Sequence, residues 1–128
     1  MKSKVVIHEF NPVIYPYKVW ICLTDNGKEL KKEFVDSDTN KPIDIELIKR
    51  HEAVVYTVRK RKNPKYFGSL LVITEKKYFT IKTIAHESTH VADNIFEHIR
   101  ESKVGCESYA YFVGWVAECC EKVKLNKE

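Results

Sequence analysis

The spacing of apolar residues changes twice along this chain, and each change predicts a change of element. Tyr17 to Thr24 (YKVWICLT) is dense in β-branched and aromatic residues, the composition of a strand. Asp25-Asn26-Gly27 then predicts a hairpin turn, with Lys28 to Val35 as the returning strand. Upstream, the run Val5 to Ile7 within Met1 to Pro12 predicts a first strand. Asp36 to Asn40 is polar loop, after which Pro42 suits the first turn of a short helix. That helix carries Ile43, Leu47 and Ile48 inward and ends near His51. Ala53 to Lys60 and Tyr66 to Thr74 predict two more strands, paired as a hairpin across the polar, proline-containing connection Arg61 to Lys65.

Beyond Glu75 the period becomes helical. Thr80 is a plausible N-cap for a helix from Ile81 to about Ile99. At about 100° per residue, Ile81, Ile84, Ala85, Ser88, Val91, Ala92, Ile95 and Ile99 form one mainly apolar stripe that packs on the sheet, with His86, His90, Asp93 and Glu97 opposite. After Ile99 to Gly105 a second long helix runs from about Cys106 to Lys122, followed by a lysine-rich, fraying tail. The plan is α+β: a small antiparallel or mixed sheet of open strand order, built first, with two helices packed against it.

The chain has 128 residues, 44% hydrophobic and 31% charged, which fits a single globular domain over residues 1–128. A core of that size leaves little for a second lobe, so any substrate cleft is shallow. A net charge of +4 is too small an excess to mark a dedicated nucleic-acid binder, and a nucleic-acid partner is not expected. No stretch approaches the length of a membrane span, and no signal-peptide core is present. The expectation is therefore a cytoplasmic protein with Cys22, Cys106, Cys119 and Cys120 reduced. Oligomeric state cannot be read from the sequence.

The chemistry lies in Thr83 to Asp93 (TIAHESTHVAD), which contains HExxH. Two histidines four apart sit one turn above the other on a helix, so both rings reach one metal ion. Five His and thirteen Glu in this chain give HExxH by chance roughly twice in a hundred such sequences, so context must support it. His8-Glu9 and His51-Glu52 lack a second histidine four positions on, whereas His86-Glu87 has His90 on a long helix, away from its apolar stripe. A catalytic zinc commonly takes three protein ligands and leaves a fourth position for water. Glu107, opening the second helix, is the chosen third ligand. It shares a face with Ala110, Tyr111, Gly114, Ala117 and Glu118, and small residues there would let the helices approach. Phe112, Val116, Cys119 and Val123 pack on another side. Cys106 is a rival ligand, Asp93 is placed to hydrogen-bond a ligand, and His98 falls on a different face.

At these residues the sequence resembles the gluzincin group of zinc metallopeptidases, in which HExxH on one helix is completed by a glutamate from a following helix. AHESTHVADNIFEH and ESYAYFVGW, within Thr83 to Trp115, also resemble small zincin-like proteins of bacteria and their phages. The resemblance covers the C-terminal half. It implies His86, His90 and Glu107 as Zn2+ ligands, Glu87 as general base, and an edge strand holding extended substrate, for which Tyr66 to Thr74 is the candidate. Tyr109, Tyr111 and His98 are candidates for stabilising the oxyanion, Tyr111 first. Tyr111 also stands where many larger gluzincins carry an aspartate, and Asp93 and Phe96 stand where the metzincin pattern has its glycine and third histidine.

The expected activity is zinc-dependent hydrolysis of peptide bonds in a peptide or protein substrate, with Glu87 activating a zinc-bound water. The competing reading is a non-catalytic module on the same fold that binds a protein or nucleic acid. Its support is the basic hairpin end Arg59 to Lys65, which is also an ordinary solvated turn.

Overall fold

The computed structural model describes residues 5–13, 15–100 and 107–125. Cys106 and the last three residues of the lysine-rich tail lie outside them, as does the Met1 to Lys4 portion of the N-terminal segment. Five strands form one mixed sheet in the order β1-β2-β5-β4-β3. They are β1 (Ile7–Phe10), β2 (Lys18–Leu23), β3 (Phe34–Asp36), β4 (Ala53–Lys60) and β5 (Phe67–Ile73). Two short helices, α1 (Lys28–Glu33) and α2 (Glu46–Arg50), precede β4, and two long ones, α3 (Ile81–Ile99) and α4 (Glu107–Leu125), close the chain.

The alternation along the central strands explains the layers. Val19 and Ile21 of β2, with Leu71 and Ile73 of β5, face the core shared with α3 and α4. Trp20, Cys22, Leu70 and Val72 face the opposite core with Leu30, Phe34, Ile43 and Ile48. Because both faces are covered, these two strands are apolar almost throughout, and they pair in parallel. Gly68 is required where they meet, since a Cβ there would run into the Lys18 carbonyl opposite.

The expected hairpin from Tyr17 to Val35 does not form. Lys28–Glu33 is helical, and β3 pairs with β4 instead of β2. The physical reason lies in KELKKE, which holds only good helix formers and one buried apolar residue, Leu30. Asn26 serves this helix: its Oδ1 accepts from the Lys28 N–H at 3.0 Å. The second hairpin forms as expected, β4 antiparallel to β5. That pairing puts β5 in the middle of the sheet, between β2 and β4, so Tyr66 to Thr74 is not an edge and has no free side for a substrate strand.

α3 has the expected limits. Thr80 Oγ1 accepts from the Thr83 N–H, and Ile84, Ser88, Val91, Ala92 and Ile95 are buried. α4 begins at Glu107 and buries Phe112, Val116, Cys119, Cys120 and Val123 against α3 and the sheet. The helices run antiparallel: Tyr109 bonds Asp93 near one end, and Cys120 lies beside Ser88 near the other. Among the described residues no helix is long and apolar enough to cross a membrane.

Candidate metal centre and cleft

α3 turns its polar side toward a cleft of about 670 Å³ whose far wall is the start of β4 and the residues just before it. His86, Glu87, His90 and Asn94 line one wall, and His51 and Ala53 are among the residues of the other. The Nε2 atoms of His86 and His90 lie 3.2 Å apart. Nitrogens at roughly 2.0–2.1 Å from one tetrahedral zinc ion stand roughly 3.3–3.4 Å from each other, so the pair is already spaced for a shared metal. In the absence of an ion, one ring can donate its N–H to the other at this distance. His86 is exposed, 66% for its side chain, which leaves the site open to solvent.

Glu87 sits differently. One position on from His86, it is only 9% exposed, with Oε2 at 3.9 Å from His86 Nε2 and its charge felt by Cys120 of α4. Burial raises its carboxyl above the usual carboxylate range, while His86, His90 and His51 oppose that rise. A carboxylate with raised basicity, shielded on one side and open to the cleft on the other, is suited to accept a proton.

The other expected site residues are not assembled here. Glu107 occupies the first turn of α4 on an exposed face shared with Ala110, Tyr111, Gly114 and Glu118. Nothing lies within 4 Å of the Cβ position at Gly114, so this face does not meet α3. The antiparallel pairing sets the start of α4 beside the C-terminal half of α3, and Glu107 is not brought to the two imidazoles. Among the described residues no three His, Cys, Asp or Glu side chains converge as a metal-holding group. Tyr111 is 73% exposed and lines a separate apolar groove with Tyr15, Phe112 and Trp115, away from Glu87. The reason is the same for both residues: the apolar face of α4 is rotated inward, and theirs is rotated out.

Tyr109 and Asp93 are committed to each other. The Tyr109 hydroxyl donates to Asp93 Oδ1 at 2.6 Å, and that bond is the main cause pushing the phenol up to about 12. Asp93 thus ties α4 to α3. His98 packs on Phe67 and Tyr17 at ring distances of 4.8 and 5.6 Å, two turns beyond His90.

His51 and Tyr78 line the cleft and were missed as site residues. His51 caps the end of α2 just before β4, and Tyr78 ends the short 3-10 turn before α3. The only sequence signal was the His51-Glu52 pair, which no local spacing connects to His86. The β4–β5 pairing makes that connection in space.

β4 also supplies an open backbone edge. Lys60 N–H donates to Tyr66 O and Thr74 N–H to Glu52 O, so even-numbered residues of β4 turn their polar groups toward β5. Ala53, Val55, Thr57 and Arg59 turn theirs to the other side. β3 occupies that side from Thr57 onward, where Ser37 N–H donates to Thr57 O at 3.1 Å. Among the described residues Ala53 and Val55 have no backbone partner there.

The basic hairpin end is partly used internally. Lys60 pairs with Glu33 at 3.1 Å, Arg61 Nε donates to Lys31 O, and Arg59 Nη1 donates to Pro64 O. These bonds fit a braced turn. No protein-family model matches the chain, and no curated protein or solved structure shows significant similarity to it.

Proposed function

We propose that this chain is a zinc-dependent peptidase in which His86 and His90 hold the metal and Glu87 is the general base. The observation that carries the reading is the 3.2 Å separation of the two Nε2 atoms beside a largely buried carboxylate, at the wall of an open cleft. When bound, zinc supplies a Lewis acid that acidifies water and takes up negative charge.

The rest of the chemistry belongs to the chain. Glu87 takes a proton from the attacking water and delivers it to the departing amine, serving as base and then acid. Its burial suits the first role, because a carboxyl held above its usual range binds a proton more tightly and stays protonated until the departing amine, the stronger base, takes the proton. The outward N–H and C=O groups of Ala53 and Val55 hold the substrate backbone as an added strand, a role that passes from β5 to β4. His51 and Tyr78 replace Tyr111 as the groups available to the oxyanion, since they line the same cleft. The test is whether Glu87→Gln keeps bound zinc and loses hydrolysis.

A further inference from the structure

The free edge of β4 is short, and β3 ends it abruptly. Asp36 holds a tight turn there: its Oδ1 accepts from the N–H groups of Asp38 and Thr39, and its carbonyl accepts from Asn40 N–H. Asn40 completes the turn at φ 61. Ser37 is thereby fixed against Thr57, and no added strand can continue past that point.

The distance from the histidine pair to this stop comes from two contacts. Asn94 Nδ2 donates to the hydroxyl of Ser69, which pairs with Thr57, and His98 packs on Phe67, which pairs with Arg59. Four helix residues rise about 6 Å and two strand residues about 6.6 Å, so α3 and β4 advance together. Extended back along both elements, this match sets His90 level with Val55 and His86 level with Ala53. From the midpoint of the two imidazoles to Thr57 is about 10 Å, the span of two or three extended residues.

Direction is set by β3. β3 lies antiparallel to β4, and a peptide added antiparallel to Ala53 and Val55 continues its line, with the amino-terminal end against Ser37. At that end a second pocket of about 320 Å³, sharing Asn94 with the main cleft, is lined by Asp38, Arg59 and Glu97 among others. The Arg59 guanidinium donates to the Pro64 carbonyl at 2.7 Å and keeps its charge, so the two carboxylates outnumber it by one and leave a net negative end to meet a substrate ammonium.

We infer that the substrate groove is closed on the amino-terminal side of the scissile bond, so that the protein releases di- or tripeptides from chains with a free amino terminus. This inference rests on the peptidase reading and specifies its substrate class. The test uses one peptide sequence in three forms: free amino terminus, acetylated amino terminus, and an amino-terminal extension of several residues. Hydrolysis is followed by mass spectrometry with zinc-loaded wild type, and binding is measured separately with zinc-loaded Glu87→Gln.

The expected result is release of the first two or three residues from the free peptide, with acetylation weakening cleavage and binding at least about tenfold. The extended peptide is trimmed from its new end. Asp38→Asn combined with Glu97→Gln narrows the preference for the free terminus. Equal internal cleavage of the acetylated or extended peptide overturns the inference, as does equal binding of all three forms or binding of none. Absence of hydrolysis together with a clear preference for the free terminus in binding removes the peptidase reading and leaves the closed groove standing.

Discussion

The Nε2 atoms of His86 and His90 stand 3.2 Å apart, one turn from each other on the cleft side of α3. That spacing comes from the helix alone, since the residues are four apart and Ile84, Val91 and Ile95 fix which side of α3 faces the core. On the proposed reading, a zinc ion would meet two of its ligands already arranged. The predicted outcome is near one zinc per chain after purification without chelators, with His86→Ala or His90→Ala each lowering affinity by at least about 10²-fold. Glu52→Ala and Glu107→Ala, assayed for metal content in parallel, test whether either carboxylate moves in to complete the site, and His51→Ala, placed at the oxyanion, should keep its zinc. Retention of zinc in Glu107→Ala matches the placement of that side chain on an exposed face of α4.

Cys119 and Cys120 should resist thiol reagents in the native protein. Burial is the main cause pushing both thiols up to about 12. At pH 8 the thiolate fraction is then on the order of 10⁻⁴, against roughly a tenth or more for an ordinary cysteine. Mass spectrometry after brief alkylation should find both unmodified, and both modified in denaturant. Rapid native labelling would show that α4 does not pack as described.

The Tyr109–Asp93 bond predicts a specific pH response. Tyr109 has its folded pKa raised from 10 to about 12, so its stabilising contribution is complete below pH 10 and is lost as pH rises toward 12. Tyr109→Phe should cost about 1 kcal/mol at neutral pH, a charged hydrogen bond discounted for its access to solvent. Denaturant titrations should show the variant and wild type converging through the alkaline range. A constant difference up to pH 12 would mean that the hydroxyl does not carry the effect.

Gly68→Ala should destabilise the fold by about 1–3 kcal/mol, because the new methyl group meets the Lys18 backbone, which cannot swing aside as a side chain would. Thermal unfolding provides the measurement. An unchanged midpoint would contradict the close parallel pairing of β2 and β5.

The legible parts of this sequence were those whose signal is local. α3 shows nineteen residues of one period with a threonine cap, and β4 and β5 are apolar runs joined by a proline-containing turn. Lys28–Glu33 misled because Asp-Asn-Gly marks a turn but does not fix the element after it, and the helix preference of KELKKE decides that element. The placement of the histidine pair and Glu87 beside one cleft was legible because one helix supplies all three. Glu107 and Tyr111 were not, since their role depended on how α4 rotates, and its larger apolar face takes the interface. His51 was hidden for a related reason. It sits at the end of α2, far from α3 in sequence, and only the sheet order brings it to the cleft.

The most direct test of the central claim compares zinc-loaded wild type with Glu87→Gln, measuring metal content and peptide hydrolysis on the same samples. The account predicts equal zinc near one per chain and a fall in hydrolysis of about 10²–10⁴-fold in the variant. Hydrolysis unchanged by Glu87→Gln, or a wild type that binds no zinc on reconstitution, would contradict it.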